Sequence, residues 1–286
     1  MQIEVKNLSY TYMQKTPYQK DALTDITLEI NEGEFVGLVG ATGSGKSTLI
    51  QHFNGLLRLT SGELKVFNID LTQKKPDFKS LRQKIGMLFQ YPEYQLFDET
   101  VLKDVMFGPR NFGMPQDECY QAAKEAIELV GLDFEKIKDR SPFELSGGEK
   151  RRAAIAGVLA YRPEMLILDE PTAGLDPVGK REILNLITKL KGDRIKTIVM
   201  ISHNMDEIAK YADRIIALDK SRLACDTNPR EFFSEQKKVF SLGLDVPTTV
   251  KIKNSLAQRG FELDEACLTV EELYQAIKQK LGGGNG

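Results

Sequence analysis

The chain has 286 residues, of which 41% are hydrophobic and 28% charged, so it can bury one sizeable core and is not expected to be intrinsically disordered. Its 39 basic and 41 acidic residues leave a formal net charge of -2, which excludes a global basic surface for holding nucleic acid. No stretch approaches the roughly 18 consecutive apolar residues that span a bilayer, and three widely spaced cysteines without His pairs argue against a disulfide framework or a zinc site.

Strands and a helix are predicted in the first third of the chain. Alternating apolar and polar residues predict strands over 1–12 and 22–30. The apolar run Phe35–Val39 leads through a glycine-rich turn into a helix that starts at Lys46, and Ile85–Phe89 is another apolar run of the strand type. This order of strand, glycine-rich loop and helix is typical of a phosphate-binding unit.

A helical block and a parallel sheet are predicted further along the chain. Helical spacing of apolar residues extends over about 115–160. Met165–Leu168 and Thr197–Ile201 are apolar throughout, as strands buried on both faces of a parallel sheet are, and a helix is expected between them at 178–191. The pattern therefore predicts an α/β core split by a helical insertion. The expected units are 1–220 for the core, with the helical part at about 91–160, 221–281 for a small C-terminal extension, and 282–286 for a flexible tail.

The glycine-rich turn matches the phosphate-loop pattern G-x-x-x-x-G-K-[ST] in full. Glycines let the backbone curl around phosphate oxygens with its amide N–H groups pointing inward, at the N-terminus of the following helix. Lys46 is expected to reach the β- and γ-phosphates and Ser47 to bind Mg²⁺. The alternative is a chance glycine-rich turn. The predicted ATP-binding residues of this loop are Gly40, Ala41, Thr42, Gly43, Ser44, Gly45, Lys46, Ser47 and Thr48.

Two adjacent carboxylates, Asp169 and Glu170, end the apolar strand that starts at Met165. Adjacent residues of a strand point to opposite faces. Asp169 is therefore expected to hold the Mg²⁺ shell and Glu170 to polarise an attacking water, which makes hydrolysis the expected reaction. The alternative is a strand followed by an acidic turn before Pro171.

A third motif, Leu145–Glu149 (Leu-Ser-Gly-Gly-Glu), precedes a predicted helix and exposes further helix N-terminal amides. With the phosphate loop and the acidic strand, it resembles the signature of ATP-binding-cassette (ABC) ATPases over roughly residues 3–220. The implied fold is an α/β P-loop NTPase core with an N-terminal β-subdomain and a helical insertion. The resemblance also implies a head-to-tail dimer, in which Ser146, Gly147, Gly148 and Glu149 of one subunit close over ATP held by the other. Glu149 departs from the more widespread Gln, which affects a ribose contact of the family.

The resemblance assigns roles to further single residues. It places Tyr12 on the adenine ring, with Tyr10 as the competing candidate, since an aromatic ring offers a flat apolar face. It makes His203 the switch histidine that senses the γ-phosphate, alongside Glu170 and Lys46 as catalytic groups. His52, the other histidine, lies inside the helix after the phosphate loop and is interpreted as structural.

The resemblance also assigns roles to Gln90 and Asp176, and it predicts a surface for partner proteins. The resemblance makes Gln90 a ligand of the Mg²⁺ shell, together with Ser47 and Asp169, and places Asp176 in a loop that crosses the dimer interface. The aromatic, amide-rich stretch 90–111 resembles the energy-coupling factor (ECF) and cobalt-type importer ATPases, in which it grips coupling helices of a transmembrane protein. An ordinary surface loop with exposed aromatics is the alternative.

The implied function is ATP hydrolysis, with ATP and Mg²⁺, at the cytoplasmic face of the cell membrane, driving uptake of vitamins or other micronutrients. Thr16 and Pro17 resemble the A-prime type, which implies a second, non-identical ATPase as partner, besides the coupling protein and a substrate-binding membrane subunit. The extension after 221 is expected to join the two ATPases, with a ligand-sensing domain as the alternative. No nucleic-acid partner is expected. A conventional ABC importer or exporter and a cobalt or nickel importer are the alternatives, whereas a P-loop kinase has no use for the signature.

Overall fold

A four-stranded antiparallel sheet forms the N-terminal part of the computed structural model, which describes residues 1–263 and 267–282. Its strands are β1 (Ile3–Tyr12), β2 (Lys20–Ile30), β4 (Ser61–Val66) and β5 (Ile69–Asp70), in the order β2-β1-β4-β5. In β2, Ile26, Leu28 and Ile30 are buried while the residues between them are exposed. This period of two is the alternation that the sequence predicts for a sheet with one covered face.

A six-stranded sheet forms the centre. Its strands are β3 (Phe35–Val39), β6 (Ile85–Leu88), β7 (Met165–Asp169), β8 (Thr197–Ile201), β9 (Arg214–Asp219) and β10 (Arg222–Thr227), in the order β10-β9-β3-β8-β7-β6. All neighbours pair in parallel except β10, which runs antiparallel to β9. Every residue of β3 and β8 is buried, as predicted for strands covered on both faces. The carboxyl ends of β3, β6, β7 and β8 meet at one edge, where ligands of such sheets bind.

Helices cover this sheet. The core helices are α1 (Lys46–Phe53), α2 (Phe78–Lys84), α7 (Pro177–Leu190) and α8 (Met205–Tyr211). Helix α7 begins one residue before the predicted start, because Asp176 caps it and Pro177 takes the first helical position. Among residues 1–263 and 267–282, no helix is both long and apolar enough to cross a lipid bilayer.

The predicted helical insertion is present. It contains α3 (Val101–Phe112), α4 (Gln116–Leu129), α5 (Phe134–Ile137), α6 (Gly147–Leu159) and two 3-10 turns, Pro92–Gln95 and Pro142–Glu144. The buried residues of α4 are Cys119, Ala122, Ala123, Ala126 and Ile127, a spacing of three and four that lines one helix face. All of them except Ala122 join the main hydrophobic core, together with residues of α6 and β7. The insertion is therefore packed on the core and does not form a separate cluster.

The chain after the predicted boundary at 221 starts inside the central sheet, because 221 lies in the turn between β9 and β10. Four helices follow: α9 (Pro229–Ser234), α10 (Gln236–Ser241), α11 (Thr248–Gln258) and α12 (Val270–Gly282). Phe232 and Phe233 of α9 are 2% exposed and belong to the main core, whereas Leu263, Cys267 and Leu273 form a small cluster of their own. Of the predicted tail, 283–286 lie outside the described residues.

Candidate active site

The phosphate loop joins β3 to α1 and wraps around the Lys46 side chain. The Lys46 ammonium donates to the carbonyl oxygens of Gly40 at 2.7 Å and Ala41 at 3.0 Å. Gly45 has φ +107°, and a Cβ there would overlap the carbonyl oxygen of Ala22, so this position requires glycine. The loop is thus held in its curled form by the backbone next to it and by its own lysine.

The loop encloses a site that fits phosphate. A cavity of about 170 Å³ is lined by Tyr12, Gly43, Lys46, Ser47 and Thr48, among others. The Ser44 hydroxyl is buried without a hydrogen-bond partner among the described residues, and α1 starts with neither a side-chain cap nor an acidic residue in its first turn. An orphaned buried hydroxyl, uncapped helix amides and a buried ammonium together suit an anion.

The donor set beside this cavity fits Mg²⁺. Burial raises the pKa of Asp169, an effect that a hydrogen bond from Ser47 opposes and the neighbouring Glu170 charge strengthens. Burial also lowers the pKa of Lys46, against the charges of Glu170 and Asp169. A partly buried carboxylate next to a hydroxyl is a donor set that Mg²⁺ uses together with phosphate oxygens.

Two predicted side chains, each from a different strand end, converge on the Glu170 carboxylate, which follows a third strand. Gln90, which follows β6, donates from Nε2 to Glu170 Oε2 at 3.2 Å. His203, which follows β8, has Nε2 at 3.1 Å from Glu170 Oε1. Glu170 has φ 51°, a left-handed conformation that costs a non-glycine residue about 1–3 kcal/mol. Its amide donates to Ile201 O at 3.0 Å, so strand β8 helps to hold this conformation.

Tyr12 and Tyr10, the two candidates for the aromatic residue on the adenine ring, make different contacts. Tyr12 lines the phosphate-loop cavity, and its hydroxyl lies 3.3 Å from Thr48 Oγ1. Tyr10 packs its ring edge-on against His52, with ring centroids 4.8 Å apart, and contacts the core. His52 is fully buried, and its Nδ1 lies 2.7 Å from Thr48 O. The geometry therefore favours Tyr12 as the residue near a nucleotide and agrees with a structural part for His52.

The signature motif lies at the N-terminus of α6. Ser146 caps the helix in a capping box: its amide and hydroxyl donate to the Glu149 carboxylate at 2.9 and 2.7 Å, and the Glu149 amide returns a bond to Ser146 Oγ. A Cβ added to Gly147 would meet nothing within 4 Å, so this surface is open. Within residues 1–263 and 267–282, no hydrogen bond or ion pair joins the motif to the phosphate loop. Among the described residues, the two halves of the predicted site thus make no direct polar contact within one chain.

Asp176 lies on the signature side. Its carboxylate accepts from the Gly179 amide at 2.8 Å, which caps α7. A cavity of about 280 Å³ between α6 and α7 is lined by Asp176 and Gly148. Asp176 and the signature thus share one surface of the subunit.

Sequence reasoning missed two buried charged residues near the site. Glu207 is 6% exposed and accepts from the hydroxyls of Thr172 at 3.0 Å and Ser202 at 2.8 Å, which ties the chain after Glu170 to the chain before His203. Arg151 is 2% exposed and lies in a run of three basic residues, which by its composition predicts a solvated surface. The partners of Arg151 are 20 to 58 residues away in the sequence, so no local signal distinguishes this residue. For Glu207, Ser202 is five residues away, whereas Thr172 is 35 residues away.

Comparison with known proteins identifies the family of the chain. The sequence model of the ABC transporter family matches residues 23–173. An energy-coupling factor transporter ATP-binding protein EcfA2 from Clostridium tetani is 49% identical, over 97% of this chain and 96% of the relative. The structure of cbiO1 from Clostridium perfringens, described as part of the ABC transporter complex cbiONQ, is 38% identical with a TM-score of 0.73, over 90% of this chain and 96% of that one. The dimeric ATP-binding cassette MJ0796 bound to ADP and Pi is 32% identical with a TM-score of 0.70, over 80% and 99%.

The parallel sheet, the phosphate loop and the carboxylates at its edge define an ABC-type ATPase, which binds ATP with Mg²⁺ and hydrolyses the nucleotide. Its similarity over nearly the full length of several such relatives shows that the chain belongs to the energy-coupling factor transporter ATP-binding proteins of the ABC transporter family. The family that the sequence motifs predict is therefore confirmed.

Proposed function

We propose that this ATPase drives uptake of a vitamin or another micronutrient from the cytoplasmic face of the membrane, paired with a second, non-identical ATPase. The observation that carries the proposal is the position of Gln90. Its side chain contacts Glu170 at 3.2 Å, and the chain directly after it forms an exposed aromatic segment. A partner that contacts this segment is therefore one residue away from Gln90, which is hydrogen-bonded to the Glu170 carboxylate.

Within the site, Glu170 is the general base. Its two carboxylate oxygens are oriented by Gln90 and His203, so one oxygen can accept a proton from water without the side chain having to reorient. Lys46 and the phosphate-loop amides bind the β- and γ-phosphates. Ser47, Asp169 and Gln90 would hold Mg²⁺, which neutralises developing charge on the phosphate oxygens when bound.

The open signature surface supports a composite site. The space around Gly147 at the N-terminus of α6 is open, and no polar contact among the described residues joins this end of the helix to the phosphate loop of the same chain. An ATP whose γ-phosphate is bound by Lys46 of one subunit and by the signature of another would bind the closed dimer more tightly than the open one. Hydrolysis then releases the pair.

A groove beside Gln90 suits the coupling helices of a membrane protein. It has a volume of about 360 Å³ and is lined by apolar side chains that include Met87, Leu96, Phe97 and Phe107. Phe97 and Phe107 are 57% and 46% exposed and stack edge to face. Asp104 of α3 accepts from the amides of Phe97 and Asp98 at 2.8 and 2.9 Å, so this wall of the groove is braced. Exposed aromatic side chains around a preformed groove are typical of protein contacts.

Gentle detergent purification of the protein from its native membranes, followed by mass spectrometry, tests the proposal. We expect a second, non-identical ATPase, a multispanning coupling protein and one or more separate solute-binding membrane subunits. Recovery of a homodimer on a conventional permease would agree with an ATPase that drives transport, but it would contradict the pairing with a second, non-identical ATPase. Recovery of ribosomes or DNA would overturn the transport function.

A further inference from the structure

Arg151 is the largest fully enclosed side chain, although it carries a permanent charge. Its guanidinium grips the Glu93 carboxylate with two parallel bonds, from Nε and Nη2, each 3.0 Å long. Its Nη1 donates to two backbone carbonyls, Pro171 O at 3.0 Å and Ala173 O at 2.9 Å. These are charge-assisted bonds with the planar geometry that only arginine provides.

The contacts of Arg151 join three functional segments. Arg151 itself lies in the second turn of the signature helix α6. Glu93 belongs to the 3-10 turn that directly follows Gln90 and leads into the proposed docking groove. Pro171 and Ala173 form the turn directly after Glu170, which an Ala173 amide closes on Glu170 O at 3.0 Å. One side chain therefore determines how these three segments lie relative to one another.

The turn held by Arg151 carries the strained residue. Glu170 keeps its left-handed backbone, φ 51°, only because its neighbours hold it there. Bonds from Arg151 to the carbonyls of residues 171 and 173 constrain this turn, in addition to the bond from the Glu170 amide to Ile201 of strand β8. A small rotation of the turn would move the Glu170 carboxylate relative to the phosphates bound by Lys46.

We propose that Arg151 is a positioning residue, which sets the Glu170 carboxylate for hydrolysis and transmits movement of the Glu93 segment to it. The second half of this statement rests on the proposed docking of a membrane partner next to Glu93. A contribution to stability alone does not account for the buried pair of Arg151 and Glu93. Replacing a buried ion pair by well-packed apolar residues often leaves the stability of a protein unchanged.

The first test compares Arg151→Lys with Arg162→Lys in the ATPase complex purified from native membranes. Lysine keeps the positive charge but cannot hydrogen-bond the Glu93 carboxylate and both backbone carbonyls at the same time. We expect Arg151→Lys to lower kcat for ATP about 10- to 100-fold while KM for ATP changes less than about 2-fold, since a misplaced base affects the chemical step. The control Arg162→Lys disturbs an exposed ion pair with Glu125 just beyond α6 and should leave both constants within about 2-fold. Equal effects of the two variants would overturn the proposal.

A second test separates positioning from a general loss of structure. In single-turnover hydrolysis, Arg151→Lys added to Glu170→Gln should cause little further loss, because a residue that acts through Glu170 has no effect once the base is gone. Full additivity of the two losses would overturn the positioning role. Thermal unfolding of each variant identifies any that is not folded, and Glu93→Gln, which keeps the shape of the partner, provides a milder disturbance of the same contact.

The link to docking is tested by the ratio of solute transported to ATP hydrolysed in reconstituted vesicles. Glu93→Gln should lower this ratio at least about 3-fold relative to Glu125→Gln, which removes a carboxylate from the Arg162 pair. If the ratio of solute to ATP is unchanged while kcat falls, the transmission of movement from the Glu93 segment is contradicted, and the positioning of Glu170 by Arg151 still stands. If purification yields no membrane partner, the proposed function fails, while the kinetic tests of Arg151 can still be made on the ATPase.

Discussion

At the scale of single residues, function depends on side chains whose surroundings are assembled from distant parts of the chain. Glu170 is the clearest case: its neighbour Asp169 ends a regular strand, but Glu170 itself turns into the left-handed region. The change in backbone direction lets one carboxylate meet Gln90 and His203 at 3.2 and 3.1 Å. A strand continued in the regular form would place consecutive side chains on opposite faces only.

Glu170→Gln should bind ATP and lose turnover. Glutamine has nearly the same shape, but it cannot accept the proton of the attacking water, so we expect kcat to fall about 10²- to 10⁴-fold. Nucleotide affinity and kcat are measured on the same preparation. Glu29→Gln, on the outer face of β2, is the control and should behave as the unmodified protein. A Glu170→Gln variant with normal turnover would remove Glu170 from the role of base.

His52 should make stability depend on pH. Burial lowers the pKa of His52 below its ordinary value of 6.5, and the hydrogen bond to the backbone of Thr48 only partly opposes this. Because the folded-state pKa is lower than the unfolded one, the folded chain favours the neutral ring. This stability is fully present above about pH 6.5 and is lost as pH falls through the folded-state pKa.

We therefore expect the thermal midpoint to fall between about pH 7 and about pH 5 more steeply in the unmodified protein than in His52→Gln. His203→Gln removes the other histidine, whose side chain is 45% exposed, and should keep the steep fall. Equal slopes for His52→Gln and the unmodified protein would show that His52 does not titrate in this range.

At the scale of elements, local sequence and distant packing act together. The phosphate loop is encoded locally by its glycines, yet the need for glycine at position 45 comes from the Ala22 carbonyl of β2. Helix α11 gives a second example. Its N-cap residue is Pro247, which offers no side-chain bond, and Asp206 of α8 accepts from the Thr248 amide and hydroxyl at 2.7 Å each.

Gly45→Ala should destabilise the protein more than Gly33→Ala. Both glycines have positive φ, +107° and +93°, and alanine in such a conformation costs about 1–2 kcal/mol. Only at Gly45 would the new methyl group also overlap a neighbouring backbone oxygen, whereas Gly33 has nothing within 4 Å. Denaturant unfolding measures both free energies. A loss at Gly45 no larger than at Gly33 would contradict the close approach to Ala22.

Asp206→Ala should loosen the start of α11. Loss of a capping carboxylate costs about 1 kcal/mol, so amides in the first turn of α11 should exchange hydrogen faster. Mass-resolved hydrogen exchange over Thr248–Gln258 measures this, and Thr248→Val, which removes only the hydroxyl bond, should give a smaller effect. Unchanged exchange in Asp206→Ala would show that the packing of Val250 alone anchors this helix.

At the scale of the whole molecule, helix α6 contributes to two functional surfaces: its N-terminus forms the open signature surface, and its C-terminal half lines the docking groove together with α3. Phe97→Ser with Phe107→Ser should reduce recovery of membrane subunits with the ATPase about 10-fold, because aromatic anchors carry much of the binding energy of an interface. ATP affinity should stay unchanged. Ile252→Ser, which removes a similarly exposed apolar side chain on α11, is the control. Full recovery of membrane subunits with the double variant would move the docking surface elsewhere.

The amino-acid sequence alone determined the fold class, the ATPase family and many of the elements. Phe35–Val39 is a strand at the predicted residues, the phosphate loop follows it, and the spacing of Cys119–Ile127 predicts a helix with the observed buried face. At the start of α12, Thr269 and Glu272 likewise exchange hydrogen bonds, between the Thr269 amide and the Glu272 carboxylate and between the Glu272 amide and the Thr269 hydroxyl. These features follow from periodicity, glycine conformation and capping, which act within a few residues of each other.

Only the tertiary structure decided which residues meet. In the structure, Tyr12 and not Tyr10 lines the phosphate-loop cavity, and Gln90 and His203 contact Glu170. Arg151 is buried against Glu93. The central sheet continues past residue 221 into β10. The physical reason is that these contacts join positions far apart in the chain. They depend on the order of the strands in the sheet and on which buried polar group finds a partner, and neither leaves a periodic signal in the sequence.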